Sequence, residues 1–167
     1  MHPATLPPEE LLRQCAETRT RRGGPGGQHR NKVETAVVLL HSPTGISAEA
    51  AERRSQEENR RMALKRLRLR LALQWLPQRA TGPHEPSPLW LTRAKGGRLA
   101  VALEHDDYPA LVAEALQALE ASAFDVAAAA AALHVSTSQL LKLFRRVPAA
   151  WVQLNRLRLA RGLPPLR

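Results

Sequence analysis

Four prolines fall between residues 77 and 88 of this chain: Pro77, Pro83, Pro86 and Pro88, with Gly82 among them. Proline lacks a main-chain N–H and its ring collides with the preceding helical turn, so neither a helix nor a central strand runs through such a stretch. The chain is cut in two. Each side must bury its own apolar residues, which 167 residues permit for two small domains. The expected division is a domain over 1–77, a linker with short strands over 78–98, and a helical module over 99–167.

Just before the cut, Ser55 and Glu58 stand at capping-box spacing, and a helix is expected from there to Leu76, where Pro77 ends it. Leu64, Leu67, Leu71 and Trp75 form one apolar stripe along it. Arg60, Arg61, Lys65, Arg66, Arg68 and Arg70 take much of the remaining surface. Six cations within eleven residues repel one another unless an anion neutralises them, which points to phosphate contact; the alternative is a solvated basic face that binds nothing. Further upstream, Pro7-Pro8-Glu9-Glu10 suits the first turn of a short helix. Over residues 13–22, Cys15, Glu17, Arg19 and Arg21 alternate with Gln14, Ala16, Thr18 and Thr20, the pattern of a strand with one basic face. Residues 35–41 read as a second strand, Ser42-Pro43-Thr44-Gly45 as a turn, and residues 46–49 as the returning strand.

Between the first two strands lies Arg22-Gly23-Gly24-Pro25-Gly26-Gly27-Gln28-His29-Arg30-Asn31-Lys32. Glycine admits positive φ and blocks nothing that approaches the main chain, while Pro25 stiffens the loop from within. Such a loop is suited to present bare N–H groups and one side chain, Gln28, to a partner. It is not a P-loop, because Asn31 precedes Lys32 and Val33 comes next; nor is it a dinucleotide fingerprint, because His29 stands where the third glycine belongs.

The run Gly24-Pro25-Gly26-Gly27-Gln28-His29-x-Asn31-Lys32, then Val33-Glu34-Thr35-Ala36-Val37, Ser42-Pro43-Thr44-Gly45-Ile46 and Arg54-Ser55-Gln56-x-x-Asn59 resembles the catalytic domain of bacterial class I peptide chain release factors. It is most similar to the short members without a codon-reading domain, among them ribosome-rescue hydrolases, and the resemblance covers about residues 10–76. It implies an α+β protein, with a small sheet and a long helix in the first domain. It implies a ribosome-dependent hydrolase of peptidyl-tRNA, acting through Gly26, Gly27 and Gln28, with large-subunit rRNA and peptidyl-tRNA as partners. Arg22, His29, Arg30, Asn31 and Lys32 would then touch RNA around the loop. Arg54, Gln56 and Asn59 would position it, and Arg60, Arg61, Lys65, Arg66 and Arg68 would complete the RNA-binding set. Since the family often carries a methylated glutamine, a glutamine methyltransferase acting on Gln28 is a further expected partner. The chain beyond the loop does not resemble a codon-reading part, so rescue of stalled ribosomes is expected rather than normal termination. Two departures stand out: Arg30 replaces a residue that is often aliphatic, and a folded module takes the place of a Lys/Arg-rich tail.

Charge agrees with an RNA partner. The formal net charge is +10, with 15 Lys and Arg against 8 Asp and Glu in residues 1–80, and 10 against 7 in residues 81–167. No apolar run approaches membrane-spanning length and the N-terminus lacks a signal-peptide pattern, so a cytoplasmic protein with no membrane contact is expected. Cys15 is the one cysteine and is read as structural; the six histidines show no close ligand pair, so neither metal nor cofactor is expected. A monomer is expected.

Downstream, Leu89-Trp90-Leu91 and residues 99–103 read as short strands around an Ala94-Lys95-Gly96-Gly97 turn. Helices are expected over 110–120, 125–133, 137–146 and 149–161. Ala130, His134, Val135, Ser136 and Leu140 fall at the spacing of a helix-turn-helix, with His134 where a turn glycine is usual. The bland alternative is an alanine-rich bundle. Lys142, Arg145, Arg146, Arg156, Arg158 and Arg161 favour contact with rRNA or another nucleic acid. Through this module the chain could instead be a non-hydrolytic nucleic-acid-binding or ribosome-associated factor. Trp75, Trp90 and Trp151 are read as core residues rather than base-stacking platforms.

Overall fold

The computed structural model of the chain describes residues 2–20, 35–76 and 84–167, which divide into two compact units, 1–75 and 76–167. The architecture is α+β: a small antiparallel sheet with a long helix, and a mostly helical remainder.

The first unit begins with a 3-10 turn, Pro3–Thr5, and helix α1, Pro8–Arg13. Pro8 opens α1, Glu9 and Glu10 sit in its first turn and Arg13 in its last, each with the sign the helix dipole favours. Strands β1 (Cys15–Thr20), β2 (Ala36–His41) and β3 (Ile46–Ala50) form an antiparallel sheet in that order. Gly45, at φ 70°, closes the β2–β3 turn by donating its N–H to the His41 carbonyl at 2.9 Å. The register sets Glu17 opposite Leu39 and Leu39 opposite Ala48, so Cys15, Glu17 and Arg19 share a face with buried Val37, Leu39, Ala48 and Ala50.

Helix α2, Gln56–Gln74, packs on β2 and β3. Ser55 caps it, accepting the Glu58 N–H at 3.4 Å. Leu67 and Leu71 of the expected stripe are fully buried, Ala63 extends it, and Leu64 and Trp75 lie half-buried at its margins. At the far end, His2 bridges the N-terminal segment to α2. Its Nε2 donates to the Trp75 carbonyl at 3.0 Å, its Nδ1 accepts the Ala4 N–H at 3.0 Å, and its ring meets Trp75 edge-on at 4.9 Å.

The second unit opens differently from expectation. Leu89-Trp90-Leu91 is not a strand but part of helix α3, Pro88–Arg93. Ser87 accepts the Trp90 N–H at 3.1 Å and Pro88 occupies the first turn, a start signal that outweighs the β-propensity of an aromatic between leucines. Trp90 is fully buried and donates its indole N–H to the Leu133 carbonyl at 2.8 Å, so this segment belongs to the second core rather than to a linker. The strand expected over 99–103 is limited to β5 (Arg98–Leu99), paired with β4 (Ala94–Lys95). Gly96 and Gly97, at φ 57° and 73°, make the two-residue turn between them.

Four helices complete the unit: α4 (Tyr108–Ala121), α5 (Val126–Ala132), α6 (Thr137–Arg145) and α7 (Pro148–Leu159). Buried residues surround α4 on nearly all sides, which makes it the core helix of this unit. Helix α5 ends in a Schellman arrangement, with the Val135 N–H reaching the Ala130 carbonyl at 3.0 Å and the His134 N–H reaching Ala131 at 3.1 Å. His134 sits at φ 55°, so the residue standing in for glycine adopts the left-handed conformation that glycine would. Ser136 then caps α6 by accepting the Gln139 N–H at 3.3 Å.

Candidate functional site

Gly26, Gly27 and Gln28, with Arg22, His29, Arg30, Asn31 and Lys32, lie outside the described residues. What the structure gives is the ground on which that segment stands. Thr20, the last residue of β1, pairs with Ala36, the first of β2, so the two ends of segment 21–34 are fixed side by side.

A buried asparagine holds the return end. Asn59 has no exposed surface; its amide N donates to the Thr35 carbonyl at 2.7 Å and the Arg53 carbonyl at 2.9 Å, while its Oδ1 accepts the Arg53 N–H at 2.9 Å. The side chain thereby joins the first residue after the loop, the bend before α2 and the first turn of α2. The place of Asn59 in the RNA-binding set is corrected: a side chain bonded on every side within the interior has no atom to offer a ligand. Arg54 is exposed in the same bend and Gln56 half-exposed at the start of α2, so this end of the sheet gathers three of the residues expected to act together.

The departing end is held by charge. Arg60 on α2 donates Nε to the Glu17 carboxylate at 2.8 Å, and Arg19 reaches the other oxygen of Glu17 at 3.0 Å. The Arg60 hydrogen bond, then that of Arg19, holds the Glu17 carboxyl below the usual range. The face of β1 expected to be basic therefore has an acid at its centre.

Most α2 cations have partners in their own unit. Arg66 pairs with Glu52 at 2.5 Å and donates to the Glu49 carbonyl at 2.7 Å; Arg70 donates to the Ser47 carbonyl at 2.6 Å. Four helical residues rise about 6 Å and two strand residues about 6.6 Å, so two arginines one turn apart match alternate carbonyls of edge strand β3. Arg61 is largely solvent-exposed and pairs with Glu57 at 3.5 Å, a contact that costs little to exchange for another anion. Lys65 is half-exposed. Arg68 is a second correction: it is 8% exposed and donates Nε and Nη2 to the Ala4 carbonyl at 3.3 and 3.2 Å, which makes it a brace for the N-terminal segment. The premise that six crowded cations require an external anion fails, because sequence spacing along one helix cannot show the acids and carbonyls that the sheet brings under it.

The hydrogen-bonded burial of His41 was not legible in sequence, whereas Cys15 reads there as structural. His41 is buried with Nε2 donating to Gln14 Oε1 at 3.0 Å and Nδ1 accepting from Thr44 at 2.8 Å, and burial lowers its pKa. Cys15 donates its thiol to the Leu11 carbonyl at 3.2 Å, and burial pushes its pKa up, away from the thiolate a nucleophile needs. Among the described residues no group of three His, Cys, Asp or Glu is placed to hold a metal ion, and no helix is long and apolar enough to cross a membrane.

In the second unit, arginines expected to face nucleic acid are largely tied down. Arg158 is buried and donates to the Phe124 and Pro164 carbonyls at 2.6 and 3.1 Å. Arg161 pairs with Glu120 at 2.7 Å and lies over the Phe124 ring; Arg145 lies over Trp151 and donates to the main-chain oxygen of Arg167. Arg146 donates to the Val101 carbonyl at 2.5 Å yet stays exposed, as do Lys142 and Arg156.

Comparison with known proteins agrees with the resemblance read from the loop. The RF-1 domain family matches residues 10–87. The chain is 52% identical over 62 residues to the chloroplastic peptide chain release factor PrfB1 of Arabidopsis thaliana, covering 37% of this chain and 14% of that protein. It is 56% identical over 52 residues to peptide chain release factor 1 of Symbiobacterium thermophilum, covering 31% and 15%. It is 51% identical over 51 residues to the mitochondrial peptide chain release factor 1-like protein of Rattus norvegicus, covering 30% and 14%. The aligned segment thus spans about a seventh of each of these relatives, and residues 88–167 lie beyond the family match. Residues 10–87 are thus an RF-1 domain, similar over this segment to class I peptide chain release factors.

Proposed function

We propose that this chain hydrolyses peptidyl-tRNA on the ribosome, independently of a stop codon, and so rescues stalled ribosomes. The observation that carries the reading is the RF-1 domain match across a segment holding Gly26-Gly27-Gln28, whose two ends are pinned together by the Thr20–Ala36 pairing and the Asn59 clamp. The bond broken is the ester between the nascent peptide's carbonyl carbon and a ribose oxygen of the tRNA, with water as the attacking group. Gln28 does not titrate near neutrality, so it acts through geometry: its side-chain amide orients water or ribose, and its N–H points at the developing oxyanion. Gly26 and Gly27 leave the main chain open to that approach. The chain supplies no base because the RNA site it enters supplies the surroundings. Exposed Arg54 and Arg61, and the loop cations Arg22, Arg30 and Lys32, contact rRNA there. Gln28 is the expected substrate of a glutamine methyltransferase, and a cytoplasmic site of work is part of the proposal.

The test is release of labelled peptide from ribosomes carrying peptidyl-tRNA on a truncated message. Wild-type protein is expected to release it, with Gly26→Ala and Gln28→Ala strongly impaired. Binding to ribosomes without release would favour the non-hydrolytic reading.

A further inference from the structure

We propose that the outward face of α6, together with the β4–β5 hairpin, binds the phosphate backbone of a structured RNA without reading its sequence. The choice of RNA over DNA rests on the ribosomal reading above; the surface itself does not.

The hairpin is fastened along the first half of α6. The Ser136 N–H donates to the Gly97 carbonyl at 3.0 Å, Gly97 bridges Val135, and the Leu99 N–H donates to the Gln139 side chain at 3.4 Å. Exposed Lys95 and Arg98 stand opposite each other on the hairpin, whose turn meets the start of α6. Leu140, Leu143 and Phe144 bury the inner face of α6, which leaves Ser138, Lys142, Arg145 and Arg146 on one outward arc. A shallow open depression is lined by Leu99 and Val101 on one side and Gln139, Lys142, Leu143 and Arg146 on the other. The ion pairs Arg93–Asp107 and Arg161–Glu120 of this unit involve other residues. Five cations, Lys95 and Arg98 on the hairpin and Lys142, Arg145 and Arg146 at α6, thus lie on two joined elements, and Ser138 adds a hydroxyl.

The chemistry of that surface selects its ligand. Base reading calls for a free bidentate side chain aimed at a groove floor. Gln139 is held by Leu99, Asn155 is bonded through both its amide atoms to Leu166, and Arg145 is turned onto Trp151. What remains exposed is Lys95, Arg98 and Lys142 with the Ser138 hydroxyl; the Arg98 fork is of a kind that can also meet a base edge, and phosphate is the ligand all of them share. Helix α5, the left-handed turn at His134 and α6 resemble a helix-turn-helix. An A-form RNA helix closes its deep groove to such a helix but presents its phosphates and 2′-hydroxyls across a shallow one, which an open cationic surface fits.

The test compares full-length wild type with the triple variant Lys95→Gln, Arg98→Gln, Lys142→Gln for binding a fluorescent 20-base-pair RNA hairpin and a DNA duplex of equal length across a salt series. Cations of the first unit contribute a common background, so the difference between proteins is the readout. The triple variant is expected to bind RNA roughly tenfold more weakly, with the slope of log K against log salt reduced by about two. Arg156→Gln, an exposed cation away from the hairpin, is expected to leave the slope unchanged. Lys142→Glu alone serves if thermal melting shows the triple variant unfolded, and should weaken RNA binding in the same direction. An unchanged slope in a folded variant overturns the surface, and tighter binding to DNA than to RNA overturns the choice of partner. A failed peptide-release assay alongside a reduced slope would sink the hydrolysis reading and leave this one standing.

Discussion

Helix α2 and the α6 surface are both cationic, but their charges are placed differently. On α2, Arg60, Arg66 and Arg70 reach back to Glu17, Glu52 and the carbonyls of β3, and Arg68 is buried against Ala4. On α6 and its hairpin, Lys95, Arg98, Lys142 and Arg146 lie exposed, with fewer cations in total. The helix that is richer in charge by sequence is the one whose charge is mostly occupied by its own fold. Arginine makes this possible, since five N–H donors in a rigid fork bond carbonyls as readily as phosphates. A count of cations along a helix is therefore an upper bound on what it offers a partner. In the first unit the arginines of α2 brace the sheet; in the second more of the cations face solvent.

The largest effect should come from the loop that α2 supports. Removing the open main chain with Gly26→Ala should lower the peptide-release rate by about 10²–10³-fold, measured in single-turnover release, if donors at the oxyanion carry the reaction. Asn59→Ala tests the support itself. It strips partners from Thr35 and Arg53 in a buried setting and should lower stability by about 2–3 kcal/mol in urea denaturation, with faster amide exchange at residues 35–37 than at the centre of α4. Equal exchange in the two regions would break the view that Asn59 acts locally on the loop ends.

His2 gives a pH test within the first unit. Burial lowers its pKa from 6.5 to about 4, and both ring nitrogens are bonded in the neutral form. Above pH 6.5 the ring is neutral whether the chain is folded or not, so the contribution is whole. Between 6.5 and 4 the unfolded chain takes up the proton first, so stability should fall as pH drops through that window, by on the order of 2 kcal/mol, and His2→Gln should flatten the curve. The smallest effect sharpens the contrast between the helices. Arg66→Gln with Arg70→Gln should cost about 1 kcal/mol through lost edge-strand contacts, while Lys142→Gln should change stability by less than about 0.5 kcal/mol.

Sequence carried the elements whose signals are local. The Ser55 cap, the Leu67–Leu71 stripe, the Gly45 turn and the turn at His134 between α5 and α6 each rest on residues within a few positions of one another, and each is where the pattern puts it. The RF-1 resemblance was equally legible because its motif blocks are contiguous and ordered. Trp90 went astray because a three-residue apolar run has no period, and the Ser87-Pro88 start signal before it decides for helix. The burial of Asn59 and Arg68 was hidden for a different reason: their partners Thr35 and Ala4 lie 24 and 64 residues away. Polar side chains that close on distant main chain leave no mark in a one-dimensional pattern.

The central claim is that a glycine loop held at both ends by this sheet cleaves an ester inside the ribosome. The most direct measurement is release of labelled peptide from stalled complexes by wild type and by Gln28→Ala at saturating protein. The account predicts rapid release by wild type and a rate lower by about two orders of magnitude for Gln28→Ala. Ribosome binding by both proteins with no release by either would contradict it.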